Sequence, residues 1–449
     1  MVEVVVTGIS LVSALGKSLV DSWQLLLAGK SGIHIYQPFP ELEPRPLGLI
    51  DKQPAQVRVL TQQLVASVLH DAGLVSPLPN CGVVIGSSRS HQAAWEEMAR
   101  WMYLEVESGR SEINIFPPHP SYPTLTGSPP GTLREAGLRP STGVRNRDGK
   151  RSQCGGRVSR HKAPGVRDCD PLTATASTHP PYSSWLDTLP HMNAIATARQ
   201  IGATGIVLAP MAACATGIWA IAQATFLIQS GQCQQVLTGA TEAAITPLTL
   251  IGFQKMGALA KTGAYPFDLH REGLVLGEGG AMLILESAES AKQRQAKVYG
   301  KILGFGLTTD AYHPNTPEPA GKSAIAAIKQ CLERSHLTPK DIDYIHAHGT
   351  ATQINDKTES KIIQYLFPQS VPVSSTKGAT GHTIGASGAL GVAFCLMALQ
   401  QQILPPCVGL KQPEFDLNFV SKAHQTKVER VLCFSFGFGG QNAVIALEK

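Results

Sequence analysis

A chain of 449 residues is too long for a minimal module and can bury a large core, with room for two or three units of about 150 residues each. Charged residues at 16% and aromatics at 6%, with frequent Gly and Ala, exclude a disordered chain and fit a tightly packed α/β enzyme core. The net charge of +5 is local: ten Lys/Arg against four Asp/Glu lie between Pro118 and Ser184, so the rest is near neutral and the body of the protein is not expected to bind nucleic acid.

The nine cysteines are scattered and none forms a C-x-x-C pair, so neither a disulfide framework nor a zinc site is expected, and a reducing cytosol fits. Val2 to Gly8 opens the chain as a strand and turn, with no basic n-region or Arg-rich transit segment before it; a cytoplasmic location is expected.

In chain order, Val4 to Gly16 reads as a strand with a Gly-ended turn and Leu19 to Ala28 as a helix. Gln56 to Gly73 has helical periodicity, with Leu60, Leu64, Val68 and Leu69 on one face. Cys81 to Ser88 is a short apolar strand ending in a small-residue loop, and His91 to Met102 reads as a helix. From about Ile115 the character changes. Pro117 to Pro181 holds eleven of the 31 prolines and shows no apolar period. Such a stretch buries too little surface to offset its ordering entropy, so a disordered Pro/Arg-rich insertion is expected at about 115–184. A basic arm for an acidic partner is the alternative. Order returns at Trp185 to Met192, followed by a helical Asn193 to Ile201.

Gly205 to Pro210 is a short apolar run with β-branched residues, and Ile218 to Ile228 is apolar on nearly every face. Between them, Met211-Ala212-Ala213-Cys214-Ala215-Thr216-Gly217 puts a cysteine where a strand turns into a buried helix. Free N–H groups and the positive end of the helix dipole favour a thiolate there and can bind an oxyanion. An ordinary small core residue is the alternative.

Gln235 to Ala240 reads as a strand, Gly252 to Phe267 as a loop-rich run, and Gly273 to Leu285 as paired strands in a Gly-rich setting. A second series follows: strand Lys301 to Leu307, helix Gly321 to Ser335, strand Ile342 to Ala347, strand Val371 to Ser375, helix Gly385 to Gln402, and a closing hairpin of Val431 to Phe436 with Gln441 to Leu447. Ile201 to Thr241 and Thr383 to Leu410 carry no charge; Gly, Gln and Pro interrupt both, so they read as buried helices rather than membrane spans. The two series echo each other, the second uncharged block opening at Gly381-His382-Thr383-Ile384-Gly385-Ala386-Ser387-Gly388-Ala389 where Cys214 stands in the first. An internal duplication explains this economically.

Four elements carry chemistry if the halves pack together: Cys214, His348 in His346-Ala347-His348-Gly349-Thr350-Ala351-Thr352, Lys377 and His382 in Lys377-Gly378-Ala379-Thr380-Gly381-His382, and the loop Phe436-Gly437-Phe438-Gly439-Gly440. A lone histidine is usually structural, but two, each beside Gly and Thr in a strand-end loop, are less casual. With Ala213-Cys214-Ala215-Thr216-Gly217, these stretches resemble the elongating, Cys-His-His β-ketoacyl-acyl-carrier-protein synthases of the thiolase superfamily, over Val2 to about Ser111 and from Trp185 to the end.

The resemblance implies a thiolase-like α/β fold of two duplicated halves packed as a layered α-β-α-β-α core. Residues 1–290 carry the nucleophile, and residues 295–449 carry the two histidines and the lysine. It implies that Cys214 takes an acyl group as a thioester, with the backbone N–H groups of Cys214 and Phe438 as oxyanion hole. Neutral His348 and His382 then donate hydrogen bonds to the enolate formed when malonyl-carrier protein loses carbon dioxide. Lys377 keeps the site electropositive and orients the His348 loop through Glu359, Phe438 is the gate, Thr350 and Thr352 hold the phosphopantetheine arm, and Phe436 is supporting. Acyl carrier protein is the implied partner and a homodimer the implied assembly, with no membrane partner, no metal and no dissociable cofactor. A ketosynthase of polyketide or specialised lipid synthesis, or a carrier-binding scaffold disabled by the insertion, are the alternatives.

Overall fold

In the computed structural model, residues 2–107 and 182–449 are described. The expected insertion at about 115–184 lies outside them, apart from its last three residues. Met1–Trp101 and Pro181–Lys449 form one compact unit, which holds the whole central sheet.

Eleven strands form that sheet, in the order Asn418–Phe419, Pro372–Ser374, Tyr344–His346, Arg430–Gly437, Gln441–Glu448, Gly300–Thr309, Val4–Ser13, Gly279–Ser287, Gln235–Glu242, Gly82–Gly86 and Val207–Leu208. Counted outward from the centre, the strands Val4–Ser13, Gly82–Gly86, Val207–Leu208, Gln235–Glu242 and Gly279–Ser287 take the same order as the strands Gly300–Thr309, Tyr344–His346, Pro372–Ser374, Arg430–Gly437 and Gln441–Glu448. Their parallel and antiparallel neighbours match as well. The echo in the sequence is thus a repeat of topology, with Asn418–Phe419 added at one edge.

The two strand sets join where Val4, Val5 and Val6 pair with Ile302, Lys301 and Gly300, over three residues only. Beyond that short seam the sets part and enclose the helices Thr216–Gln229 and Ser387–Gln401. Strand periodicity shows the layering. Val236, Leu283 and Leu285 pack in one cluster with Ile218 and Ile221 of the central helix, while Leu237, Met282 and Ile284 pack with Leu60, Leu64 and Val68 of the outer helix Val57–Asp71. In the second half, Val431, Cys433 and Ile445 face inward, while Leu432, Phe434 and Val444 cluster with Ile328 and Leu332 of the outer helix Lys322–Arg334. The result is the α-β-α-β-α layering expected. Strands buried on both faces read as near-continuous apolar runs.

The central helices are apolar all round because they are enclosed all round. Ile384–Gln401 is long and apolar enough to cross a membrane by length and composition, and 89% of it is buried inside the fold. The two helices cross at Gly217, where a Cβ would lie 2.4 Å from the Ala389 backbone nitrogen. Replacing Gly217 by Ala gains about 1 kcal/mol of helix propensity. Forcing two backbones apart costs more, so a net loss of about 2 kcal/mol is expected from urea denaturation.

Three segments differ from the pattern reading. Pro247–Lys255 is a helix running into the stretch read as loop from Gly252; Thr246 caps it by accepting from the Thr249 N–H, and Pro247 stands in its first turn. Only Gly279–Ser287 is a strand in the Gly-rich stretch, and Leu274, Leu276 and Gly277 make single bridges. Gln353–Leu366 is a helix the pattern did not flag, because Asp356, Glu359 and Ser360 are buried on it and blur the apolar stripe.

Candidate active site

Cys214 lies between the end of the short strand Val207–Leu208 and the start of the helix Thr216–Gln229. The turn is tight: Ala213 has φ of 46°, a left-handed conformation that is costly for a residue with a Cβ. It is pinned on both sides, by the Ala212 N–H donating to Thr216 Oγ1 at 2.8 Å and by Ser435 Oγ donating to the Cys214 carbonyl at 2.8 Å. The duplicated position repeats the device, since Ile384 has φ of 42° at the head of the other central helix.

The thiolate expected at this helix start is corrected by the structure. Burial pushes the Cys214 thiol up to about 11, against the lowering effects of the Phe438 N–H and the Lys377 and Arg89 cations. The residue is 1% exposed, so the desolvation cost of a charge outweighs the dipole, and the resting group is a thiol. Alkylation by iodoacetamide is expected to accelerate with pH up to a midpoint near 11. Arg89→Met is expected to move that midpoint upward by roughly a few tenths of a unit, because an exposed cation is screened by solvent.

His348 and His382 come from loops after the strands Tyr344–His346 and Pro372–Ser374. Cys214 Sγ and one ring nitrogen from each histidine lie within 4.8 Å of one another, and the two rings meet edge to face at 5.5 Å. Both imidazoles are held well below their ordinary pKa, first by burial and then by the Lys377 cation, so both are neutral. The Ile384 N–H donates to His382 Nδ1 at 3.0 Å, which leaves the proton on Nε2. The same proton answers the question of a metal. Thiol and two imidazoles are a donor set that a soft cation can use, but a protonated nitrogen is not a ligand.

Lys377 is 4% exposed and donates to the His348 carbonyl, with its Nζ 3.4 Å from His348 Nδ1. Glu359 accepts from the His348 and Gly349 N–H groups at 2.6 and 2.7 Å. The expected route from Lys377 through Glu359 is therefore corrected. Each grips the His348 loop directly, and among the described residues no ion pair joins them. Burial pushes the Glu359 carboxyl up, and burial likewise lowers the Lys377 pKa. Gly349 has φ of 39°, and a Cβ there would sit 2.6 Å from Ser375 Cβ, so the loop demands glycine.

The pattern missed a second carboxylate one turn before Glu359. Asp356 is fully buried and accepts from the N–H groups of Thr350, Ala351 and Phe267 at 2.9, 3.1 and 2.8 Å. Arg271, 2% exposed, stands 3.9 Å from it and also donates to Glu414 and to the carbonyls of Asp268, Thr352 and Gln353. Glu242 was missed too: it is buried and gathers the N–H groups of Ser88, Arg89 and Gly385 at 2.8 to 3.1 Å. The spacing of Asp356 and Glu359, i to i+3 behind Thr352, was the available signal for Asp356.

A cavity of about 280 Å³ leads to the thiol. Cys214, His348, His382, Phe436, Phe438, Thr350 and Thr352 all line it. Thr350 and Thr352 share a hydrogen bond at 2.9 Å, and Thr352 caps the Gln353–Leu366 helix. Phe436 packs edge-on to His348 at 6.0 Å. Phe438 rests against Phe253 at 5.7 Å, and its backbone N–H points at the Cys214 sulfur. All nine residues singled out from the sequence are therefore in this region: seven line the cavity, while Lys377 and Glu359 stand behind the His348 loop.

The chain matches the β-ketoacyl synthase N-terminal domain over residues 131–291 and the β-ketoacyl synthase C-terminal domain over residues 299–411. It is 30% identical to a putative mitochondrial 3-oxoacyl-[acyl-carrier-protein] synthase of Schizosaccharomyces pombe, over 100% of this chain and 99% of that one. It is also 30% identical to 3-oxoacyl-[acyl-carrier-protein] synthase 2 of Coxiella burnetii, over 100% and 98%. A β-ketoacyl synthase of Burkholderia phymatum superposes over the full length of both chains with a TM-score of 0.78 at 24% identity, a likeness of fold. By sequence match along its whole length, the chain belongs to the β-ketoacyl synthase family.

Proposed function

We propose that the protein catalyses the decarboxylative Claisen condensation of malonyl-acyl carrier protein with an acyl group held on Cys214, giving 3-oxoacyl-acyl carrier protein in fatty-acid chain elongation. The observation that carries this reading is the meeting of one thiol and two neutral imidazoles within 4.8 Å at the end of a cavity. The 3-oxoacyl-[acyl-carrier-protein] synthase 2 relatives support the pathway.

In the first step Cys214 sulfur attacks the acyl thioester carbon. The Cys214–acyl bond forms, the carrier's C–S bond breaks, and the thiol proton ends on the departing pantetheine sulfur. The Cys214 and Phe438 N–H groups stabilise the oxyanion. In the second step the bond between malonyl C2 and its carboxylate breaks and carbon dioxide leaves. The electron pair forms an enolate whose oxygen accepts from His348 and His382. Neutral donors suit this step, because charge grows on that oxygen only as the bond breaks. The enolate carbon then attacks the acyl carbonyl, and the Cys214 C–S bond breaks to release a thiolate, which takes up one proton from solvent to restore the thiol. Lys377, Glu359 and Asp356 hold the His348 loop in place, and Thr350 and Thr352 face the pantetheine arm. No dissociable cofactor enters.

We read the assembly as a homodimer, supported by the half-buried edge strand Val207–Leu208, and the location as cytoplasmic. Incubation with acyl- and malonyl-carrier protein tests the reaction. Wild type is expected to give 3-oxoacyl product by mass spectrometry and Cys214→Ala none; a folded wild type without product would overturn the reading.

A further inference from the structure

Ser387 opens the central helix Ser387–Gln401, and its hydroxyl lies 2.9 Å from His382 Nδ1. The residue lies in the stretch Gly381 to Ala389 that opens the second uncharged block, where the pattern assigned it no chemical role. The same nitrogen already accepts the Ile384 N–H at 3.0 Å. In the Nε2–H tautomer that this bond sets, Nδ1 is an acceptor only, so a hydroxyl at 2.9 Å must donate to it or face it with a lone pair. Thr383 Oγ1, at 3.2 Å from Ser387 Oγ, can donate to Ser387 and so leave the Ser387 proton for His382. Ser387 is 8% exposed and His382 1%, so water does not compete well for either group.

From this geometry we infer that Ser387 is a positioning residue for the decarboxylation step, which it serves by donating a second hydrogen bond to His382 Nδ1. This deepens the condensing reading and rests on it. Two donors on Nδ1 draw electron density from the ring and make Nε2–H a stronger donor, which matters when the enolate oxygen becomes negative. The same pair of donors keeps the proton on Nε2, in a ring that lies edge to face with His348 and has one nitrogen within 4.8 Å of the thiol. Formation of the acyl-Cys214 thioester uses the oxyanion hole and makes no demand on this donor. Ser387 therefore affects one half of the reaction and spares the other.

Two half-reactions separate the roles: acyl transfer to Cys214, followed by intact-protein mass, and carbon dioxide release from malonyl-carrier protein. For Ser387→Ala, acylation is expected to stay within about twofold of wild type while decarboxylation falls roughly five- to tenfold, the worth of one neutral hydrogen bond. The pH profile supplies a readout that a structural role would not move. A donor to Nδ1 stabilises neutral imidazole, so its loss raises the His382 pKa, and the acid limb of decarboxylation moves to higher pH. The ionisable groups around His382 are Lys377, His348 and Cys214, with Glu242 bonded to the Gly385 N–H at 3.1 Å. All are unchanged in the variant. Ser387→Gly removes the same hydroxyl and is expected to give the same split. Equal loss in both half-reactions, or full decarboxylation with an unmoved acid limb, would overturn the inference. A wild type that neither takes an acyl group nor releases carbon dioxide would sink the condensing reading instead.

Discussion

His382→Ala is expected to lower malonyl decarboxylation by about a hundredfold or more, the scale of a positioned proton donor. Acylation of Cys214 in the same variant is expected within about tenfold of wild type, since the oxyanion N–H groups remain. The asymmetry follows from geometry. One ring nitrogen of His382 lies within 4.8 Å of Cys214 Sγ and a nitrogen of His348, and its Nδ1 is engaged by the Ile384 N–H and Ser387, which leaves Nε2–H as the ring's donor. The alanine strands the buried Ile384 donor at about 1–3 kcal/mol, so a melting curve must accompany the rates. Equal collapse of both half-reactions in a folded variant would contradict the division of labour.

Arg271→Leu is expected to cost about 3–5 kcal/mol of stability, read from the urea midpoint, because it leaves a buried carboxylate without its cation. The Asp356 side chain is 0% exposed and the Arg271 side chain 1%, so water cannot take over. Three backbone N–H groups still hold Asp356, two of them from the loop that carries His348. Adding Asp356→Asn is expected to recover part of the loss, since the stranded charge is then gone. A double variant no better than the sum of the singles would mean that Arg271 acts through Glu414 and the carbonyls alone.

Much of this was legible because duplication left two copies of one pattern. The uncharged blocks around Cys214 and Gly385 predicted two buried helices, and their place between the strand sets explains why neither bears a charge. Glycine and threonine beside His348 marked its strand-end loop as less casual, and that loop holds Gly349 and Ala351 at φ of 39° and 65°. The buried polar network was less readable. Asp356, Arg271 and Glu242 sit on segments whose charged residues look solvated, and only the fold shows that backbone N–H groups and a guanidinium enclose them. The ionisation of Cys214 was hidden for the same reason, since a helix start promises a thiolate only where water reaches it.

The most direct test of the condensing reading is a single turnover on protein loaded at Cys214. The acyl-enzyme is formed, freed of excess donor, and mixed with malonyl-carrier protein, while intact-protein mass and carbon dioxide are followed together. The expected result is loss of the acyl mass from Cys214 in step with carbon dioxide release and with a carrier-bound 3-oxoacyl group two carbons longer than the acyl group loaded. An acyl group that stays on Cys214, or that leaves by hydrolysis without carbon dioxide, would contradict it.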